Sequence, residues 1–131
     1  MGGSNWVRDM VLKMTRKEDT RQAVDIYAPQ YDDPDVVRAS CRDYEAAALV
    51  DVPAQKADQA EGRKVGVPMI VFWSEVGLGA WFDVERLWRG WVGEGVEVEF
   101  VPVGGGAGHY IPEDGAEVVG ERLVRWLEKV D

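Results

Sequence analysis

The run Val67-Pro68-Met69-Ile70-Val71-Phe72-Trp73 constrains the fold more than any other part of the chain. It is a nearly continuous apolar run of strand length, and such runs suit a strand buried on both faces, as in parallel sheets. Pro68 stands near its start, where a missing N–H does least harm. A second strand is predicted over Val96-Glu97-Val98-Glu99-Phe100-Val101-Pro102-Val103, alternating at first. Between the two, Asp83 caps a helix whose apolar stripe is Val84, Leu87, Trp88 and Trp91, and Gly93 and Gly95 end it. Strand, helix and strand in this order form a βαβ unit, with parallel strands and a right-handed crossover expected. Two parallel strands do not make a stable sheet, so the expected fold is α/β with an incomplete sheet.

The remainder reads as helix. Asn5 is placed to cap a helix running to about Lys17, with Trp6, Met10 and Met14 on one stripe. A short helix over 21–27 stops before Pro29. Asp33 and Pro34 are a start signal, as N-cap and first helical residue. From there to Val50, Val37, Cys41, Tyr44 and Ala48 fall on one helical face. Pro53 opens another short helix, and Gly62 is its expected stop. The last helix, about 117–130, places Val119, Leu123, Trp126, Leu127 and Val130 on one side. Residues 1–64 thus form a helical segment and 65–131 an α/β segment.

Charge narrows the partners. With 24 acidic and 15 basic side chains, the formal charge is −9. That excludes a nucleic-acid binder, which needs clustered Lys and Arg, and an anchor on anionic lipid. One cysteine and one histidine allow neither an internal disulfide nor a zinc site built from both types. No segment approaches the roughly 18 apolar residues of a membrane span. The start of the chain has no apolar signal core, and Trp6 stands where myristoylation wants Ser or Thr. A soluble chain in a reducing, cytoplasmic setting is expected, without metal or cofactor.

His109 is the strongest candidate for chemistry. It lies in the loop Gly104-Gly105-Gly106-Ala107-Gly108-His109, just past a predicted strand, where open α/β sheets place their ligands. The glycines do not read as a phosphate cradle, because His and Pro intervene before the next helix. Tyr44, on an apolar stripe, reads as a core tyrosine from the residues alone. Glu75 reads as a solvated loop residue and Asp83 as a helix cap, rather than as a carboxylate pair. Ser4, Ser40 and Ser74 are the only serines, and none stands in a G-x-S-x-G elbow. Cys41 has no base beside it in sequence and reads as buried packing.

Four stretches together resemble the C-terminal half of α/β-hydrolases, most closely the haloacetate (fluoroacetate) dehalogenases. Arg38-Ala39-Ser40-Cys41-Arg42-Asp43-Tyr44-Glu45-Ala46-Ala47 resembles a late helix of that group's cap domain. Asp58–Lys64 followed by Val67–Trp73 resembles the return from cap to sheet, and Asp83–Arg89 the next helix. Gly108-His109-Tyr110-Ile111-Pro112-Glu113-Asp114 resembles the catalytic-histidine motif. The resemblance implies hydrolytic cleavage of a carbon–halogen bond through an aspartyl ester. His109 matches the base that activates water, and Tyr44 the tyrosine that stabilises the leaving halide. It further implies that the nucleophile, the acid and the residues that clamp the substrate carboxylate lie upstream in the family and outside this chain. The chain alone is then inactive, and the completed fold takes a halogenated short carboxylic acid. Two other readings share the residues. One is an epoxide-hydrolase-like fragment. The other is a non-catalytic fragment that self-associates or pairs with an N-terminal half in trans through an open sheet edge.

Overall fold

The computed structural model describes residues 2–15 and 17–130. Arg16, inside the first predicted helix, lies outside them, as do Met1 and Asp131. The chain forms two compact units: Met1–Lys13 with Ala23–Lys64, and Met14–Gln22 with Val65–Asp131. The second unit thus takes a short piece from the N-terminal, helical part of the sequence.

The first unit is helical. Helix α1 spans Gly3–Met14, and a 3-10 turn covers Ala28–Asp32; α2 spans Glu18–Tyr27, and only its part from Ala23 on belongs to this unit. Helix α3 spans Pro34–Ala46, and α4 spans Val52–Ala60. Asp33 caps α3 as expected, its side chain accepting the Asp35 N–H at 2.8 Å, with Pro34 at the first position. At α1 the expected cap, Asn5, lies inside the helix. The Asp32 carboxylate accepts the Ser4 N–H at 3.3 Å instead. Gly3 permits this approach, because a Cβ there would lie 2.0 Å from the Tyr31 carbonyl oxygen. Between α3 and α4 the helix widens into a π turn over Ala47–Asp51, where the Val52 N–H donates to the Ala47 carbonyl. Pro53, in the first turn of α4, has no N–H to offer a preceding carbonyl.

The apolar stripes of this unit do not lie where the spacing put them. Trp6 and Met14 are exposed, and α1 buries Val7 and Val11. Helix α3 buries nothing: Val37, Cys41 and Tyr44 are all exposed. An apolar face four residues apart thus marks a surface here, and Tyr44 and Cys41 are corrected from core to exposed positions.

The second unit holds the sheet. Strand β1 spans Met69–Ser74 and β2 spans Val98–Val103; they run parallel, with Met69 opposite Val98 and Ser74 opposite Val103. Helix α5 (Val84–Arg89) connects them, capped by Asp83, whose side chain accepts the Arg86 N–H at 3.1 Å. Helices α6 (Ile111–Asp114) and α7 (Ala116–Val130) follow β2, so the expected last helix is preceded by a separate turn of helix. The register sorts the side chains onto two faces. Trp73 and Phe100 share one face, where their rings meet edge-on at 6.3 Å and the Arg89 guanidinium of α5 lies 4.9 Å from the Phe100 centroid. Glu99, Val101 and Val103 occupy the other, toward α7. Glu99 pairs there with Arg122 at 3.5 Å, and Glu97 with Lys129, whose pKa it raises by hydrogen bond and charge. Glu97 and Glu99 thus anchor α7. Val101 and Val103 are buried, whereas α7 itself buries no residue completely.

One buried carboxylate ties this unit together. Asp114, at the end of α6, is 4% exposed. Its Oδ1 accepts hydroxyl bonds from Thr15 at 2.6 Å and Thr20 at 2.7 Å, and its Oδ2 accepts the Gly108 N–H at 2.7 Å. Thr15 and Thr20 are themselves buried. A charge out of water is tolerated only when its lone pairs are taken up, and three donors among the described residues contribute to this.

Removing this acceptor strands a buried backbone N–H and two hydroxyls. Asp114→Ala is expected to cost about 3 kcal/mol or more, against about 1 kcal/mol for Asp83→Ala at an exposed cap. Urea unfolding of both variants checks this, and equal midpoints would show that the network carries little stability.

Candidate active site

The loop that follows β2 is shaped by backbone rather than by side chains. Gly105 and Gly106 both have positive φ, 64° and 76°, a region that L side chains rarely adopt. The Ala107 N–H donates to the Gly104 carbonyl at 3.2 Å and closes the turn. The glycines thus serve a tight reversal at the strand's end. The loop is then fastened from three directions. The Ser74 hydroxyl, at the end of β1, donates to the Ala107 carbonyl at 2.6 Å and accepts the Gly77 N–H at 2.9 Å. Asp114 accepts the Gly108 N–H, and the His109 N–H donates to the Met14 carbonyl at 3.1 Å. Space is so short at Gly108 that a Cβ there would lie 2.2 Å from the Met14 carbonyl oxygen and 2.8 Å from Asp114 Oδ2.

His109 therefore has a backbone held in place and a side chain turned outward. Ala107 and Gly108 are buried, whereas His109 is exposed. Its ring meets Tyr110 edge-on, with centroids 5.3 Å apart and planes at 89°. Among the described residues the imidazole makes no hydrogen bond, so both nitrogens are available to a substrate, a water or a carboxylate. Asp114 is committed elsewhere. Glu75 donates its N–H to the Val103 carbonyl at 3.2 Å, and its carboxylate lies against Gly104, where a Cβ would stand 2.6 Å from Oε2. It is exposed, as a solvated loop residue should be.

Tyr44 lies in the first unit. It is 75% exposed and lines a cleft of about 350 Å³ with Trp6, Met10, Tyr31, Val37 and Cys41. The cleft wall is mostly apolar, and Tyr31 is a second tyrosine in its lining. A volume of this size suits a small organic molecule. Ser40, also in the lining, is occupied by a hydrogen bond to the Val36 carbonyl at 3.0 Å.

The remaining candidates fall away. Ser74 is buried and spent on the loop, and Asp83 is a cap in a cluster of exposed ion pairs with Arg86, Glu85 and Arg89. Among the described residues no group of three His, Cys, Asp or Glu is placed to hold a metal ion. No described helix is long and apolar enough to cross a membrane. The sequence reading missed Asp114, Thr15 and Thr20, which meet across 99 and 94 residues with no local pattern to announce them.

No family model matches the sequence. Solved structures do match. Two are single-site variants of a "putative epoxide hydrolase" from Pseudomonas aeruginosa, with TM-scores of 0.80 and 0.79 and 32% identity in each case. A third is a "putative alpha/beta hydrolase" from Nostoc sp. PCC 7120, with a TM-score of 0.77 and 28% identity. Each match covers 95% of this chain and 41% of the other, so the chain spans about two-fifths of the length of these proteins. With its helices followed by strand, helix, strand, histidine loop and helix, the chain has the fold of part of an α/β-hydrolase.

Proposed function

We propose that the chain supplies the water-activating part of an α/β-hydrolase that works through a covalent alkyl ester. The observation that supports this best is His109: an exposed imidazole that makes no hydrogen bond among the described residues, on a backbone fastened at Ala107, Gly108 and His109 itself. A general base needs a fixed position and an accessible nitrogen, and this loop supplies both. In the first step a carboxylate supplied by the rest of the fold attacks carbon and forms a C–O bond. The C–halogen electron pair leaves with the halide. In the second step water attacks the ester carbonyl as His109 takes its proton, and hydroxy acid and free carboxylate result. The first step needs no base, because the nucleophile is already an anion. The second does, because water is a poor nucleophile until it loses a proton.

The four stretches that resemble haloacetate dehalogenases favour a halogenated short carboxylic acid as substrate. Tyr44 then donates to the departing halide. A second reading, epoxide opening, has its own support. Tyr31 and Tyr44 line one cleft, and two phenols suit a developing alkoxide. Two of the similar structures also carry the epoxide-hydrolase description.

Neither reading gives the chain activity alone, because among the described residues no carboxylate stands at a nucleophile elbow. The isolated protein is expected to release no halide from chloroacetate or fluoroacetate above the buffer rate. Joined to a matching N-terminal half, it should turn over, and the assay is run on chloroacetate and on styrene oxide to separate the two readings. His109→Asn in that complex should stop turnover after about one halide per site, leaving an ester that mass spectrometry detects on the partner's carboxylate. Tyr44→Phe should slow halide release itself by roughly 10²-fold or more. An active wild-type complex whose His109→Asn form holds no ester would remove His109 from the role.

A further inference from the structure

We infer that Thr15 and Thr20 are positioning residues for His109: through the Asp114 carboxylate they set where the imidazole stands when it takes a proton from water. The inference deepens the reading of His109 as the water-activating base and rests on it. The contacts lie wholly within the second unit, which takes in the connection Met14–Gln22. The Thr15 and Thr20 hydroxyls both donate to Asp114 Oδ1, at 2.6 and 2.7 Å, and the opposite oxygen, Oδ2, accepts the Gly108 N–H at 2.7 Å. The next amide, that of His109, donates to the Met14 carbonyl at 3.1 Å. Met14 and Thr15 are neighbours in the chain. One short segment thus holds two consecutive amides of the loop, one directly and one through a carboxylate.

Two hydroxyls on one oxygen do more than satisfy it. A carboxylate held there by a single donor can still swing about that bond. Two donors from separate residues take away this freedom, and Oδ2 then has one place. The Thr15 hydroxyl is itself fixed, because it also accepts the Lys17 N–H at 3.3 Å. Both threonines are buried, so water does not replace a lost hydroxyl. The loop has no slack against this clamp, since a Cβ on Gly108 would strike both the Met14 carbonyl and Asp114 Oδ2. Among the described residues neither threonine bonds to His109, so both act only through its backbone. Misplacing a reacting group by about 1 Å costs on the order of 10²-fold in rate.

The first arm of the test uses the chain as it stands. Valine keeps the shape of threonine and removes the hydroxyl, whereas serine keeps the hydroxyl. Thr15→Val and Thr20→Val should each speed residue-resolved amide exchange at Gly108 and His109 by about tenfold or more, and leave Val71 and Val101 in the sheet within about twofold. Thr→Ser at either site should restore the wild-type rates to within about twofold. Unchanged exchange at Gly108 and His109 would overturn the inference. So would equal speeding at Val71 and Val101, which is what a merely stabilising role produces, or failure of serine to rescue. A measurement on the wild-type chain covers the case of a valine variant that does not fold. The hydroxyl protons of Thr15 and Thr20 should both be visible by NMR and protected from exchange with water, and the absence of either signal would overturn the assignment.

The second arm uses the complex with a matching N-terminal half, on whichever of chloroacetate and styrene oxide the wild type turns over. Formation of the ester needs no base, so its single-turnover rate should not change in either valine variant. Hydrolysis of the ester should slow by about tenfold or more, so that ester accumulates on the partner's carboxylate. Serine should again restore the rate. A misfolded fraction would lower both steps together, and that result, or slowing of ester formation alone, would overturn the positioning role. The two readings fail differently. A His109→Asn complex that turns over like the wild type would remove His109 as the base, whereas a complex that needs His109 but ignores both threonines would remove only the inference drawn here.

Discussion

The carboxylate of Asp114 is the point on which the second unit depends. It is buried, and among the described residues three donors approach it, two from one distant segment and one from its own loop. Each donor is itself buried or part of the backbone, so none has water as an alternative partner. The arrangement is therefore mutual. The carboxylate is tolerable because the donors are there, and the donors are satisfied because the carboxylate is. A buried polar network of this sort fixes positions more sharply than apolar packing does, because each bond has a direction as well as a distance.

What it fixes is a platform rather than a reaction. The Gly108 N–H is held by Asp114 and the His109 N–H by the Met14 carbonyl, so two consecutive amides are locked from opposite partners. Ser74 holds the preceding carbonyl from the end of β1. Gly108 has no space for a side chain, which explains a glycine before the histidine by crowding rather than by flexibility. Gly105 and Gly106 are explained differently, by backbone angles that other residues avoid. The same loop thus uses glycine for two separate physical reasons.

Much of this architecture was legible in the sequence. The apolar run before Ser74 and the alternating run before Gly104 both became strands, and Asp33 and Asp83 became caps because their carboxylates have an N–H to accept. The Gly-His loop was legible because it ends a strand. The helical faces were not. Trp6, Met10, Val37 and Tyr44 have the spacing of a core stripe, but that spacing reports only that a face is apolar, not that this chain covers it. Glu97 and Glu99 alternate like an exposed strand, yet their partners Lys129 and Arg122 sit on a helix whose direction no local pattern reveals. Asp114 was hidden for a related reason. An acidic residue before a helix looks like a solvated cap, and its burial depends on two threonines at the far end of the sequence.

That distance has a consequence for the order in which the protein assembles. The bond from Thr15 to Asp114 closes a span of 99 residues. During synthesis the helices of residues 3–60 emerge long before Asp114 exists, and β1 waits for β2. Closing so long a loop costs chain entropy that no local contact offsets, although the cost grows only with the logarithm of length. Contacts of this kind form late, after the shorter-range elements have reduced the search. The histidine platform is therefore among the last parts of the fold to set, and until it sets the chain presents helices and strands without a formed site.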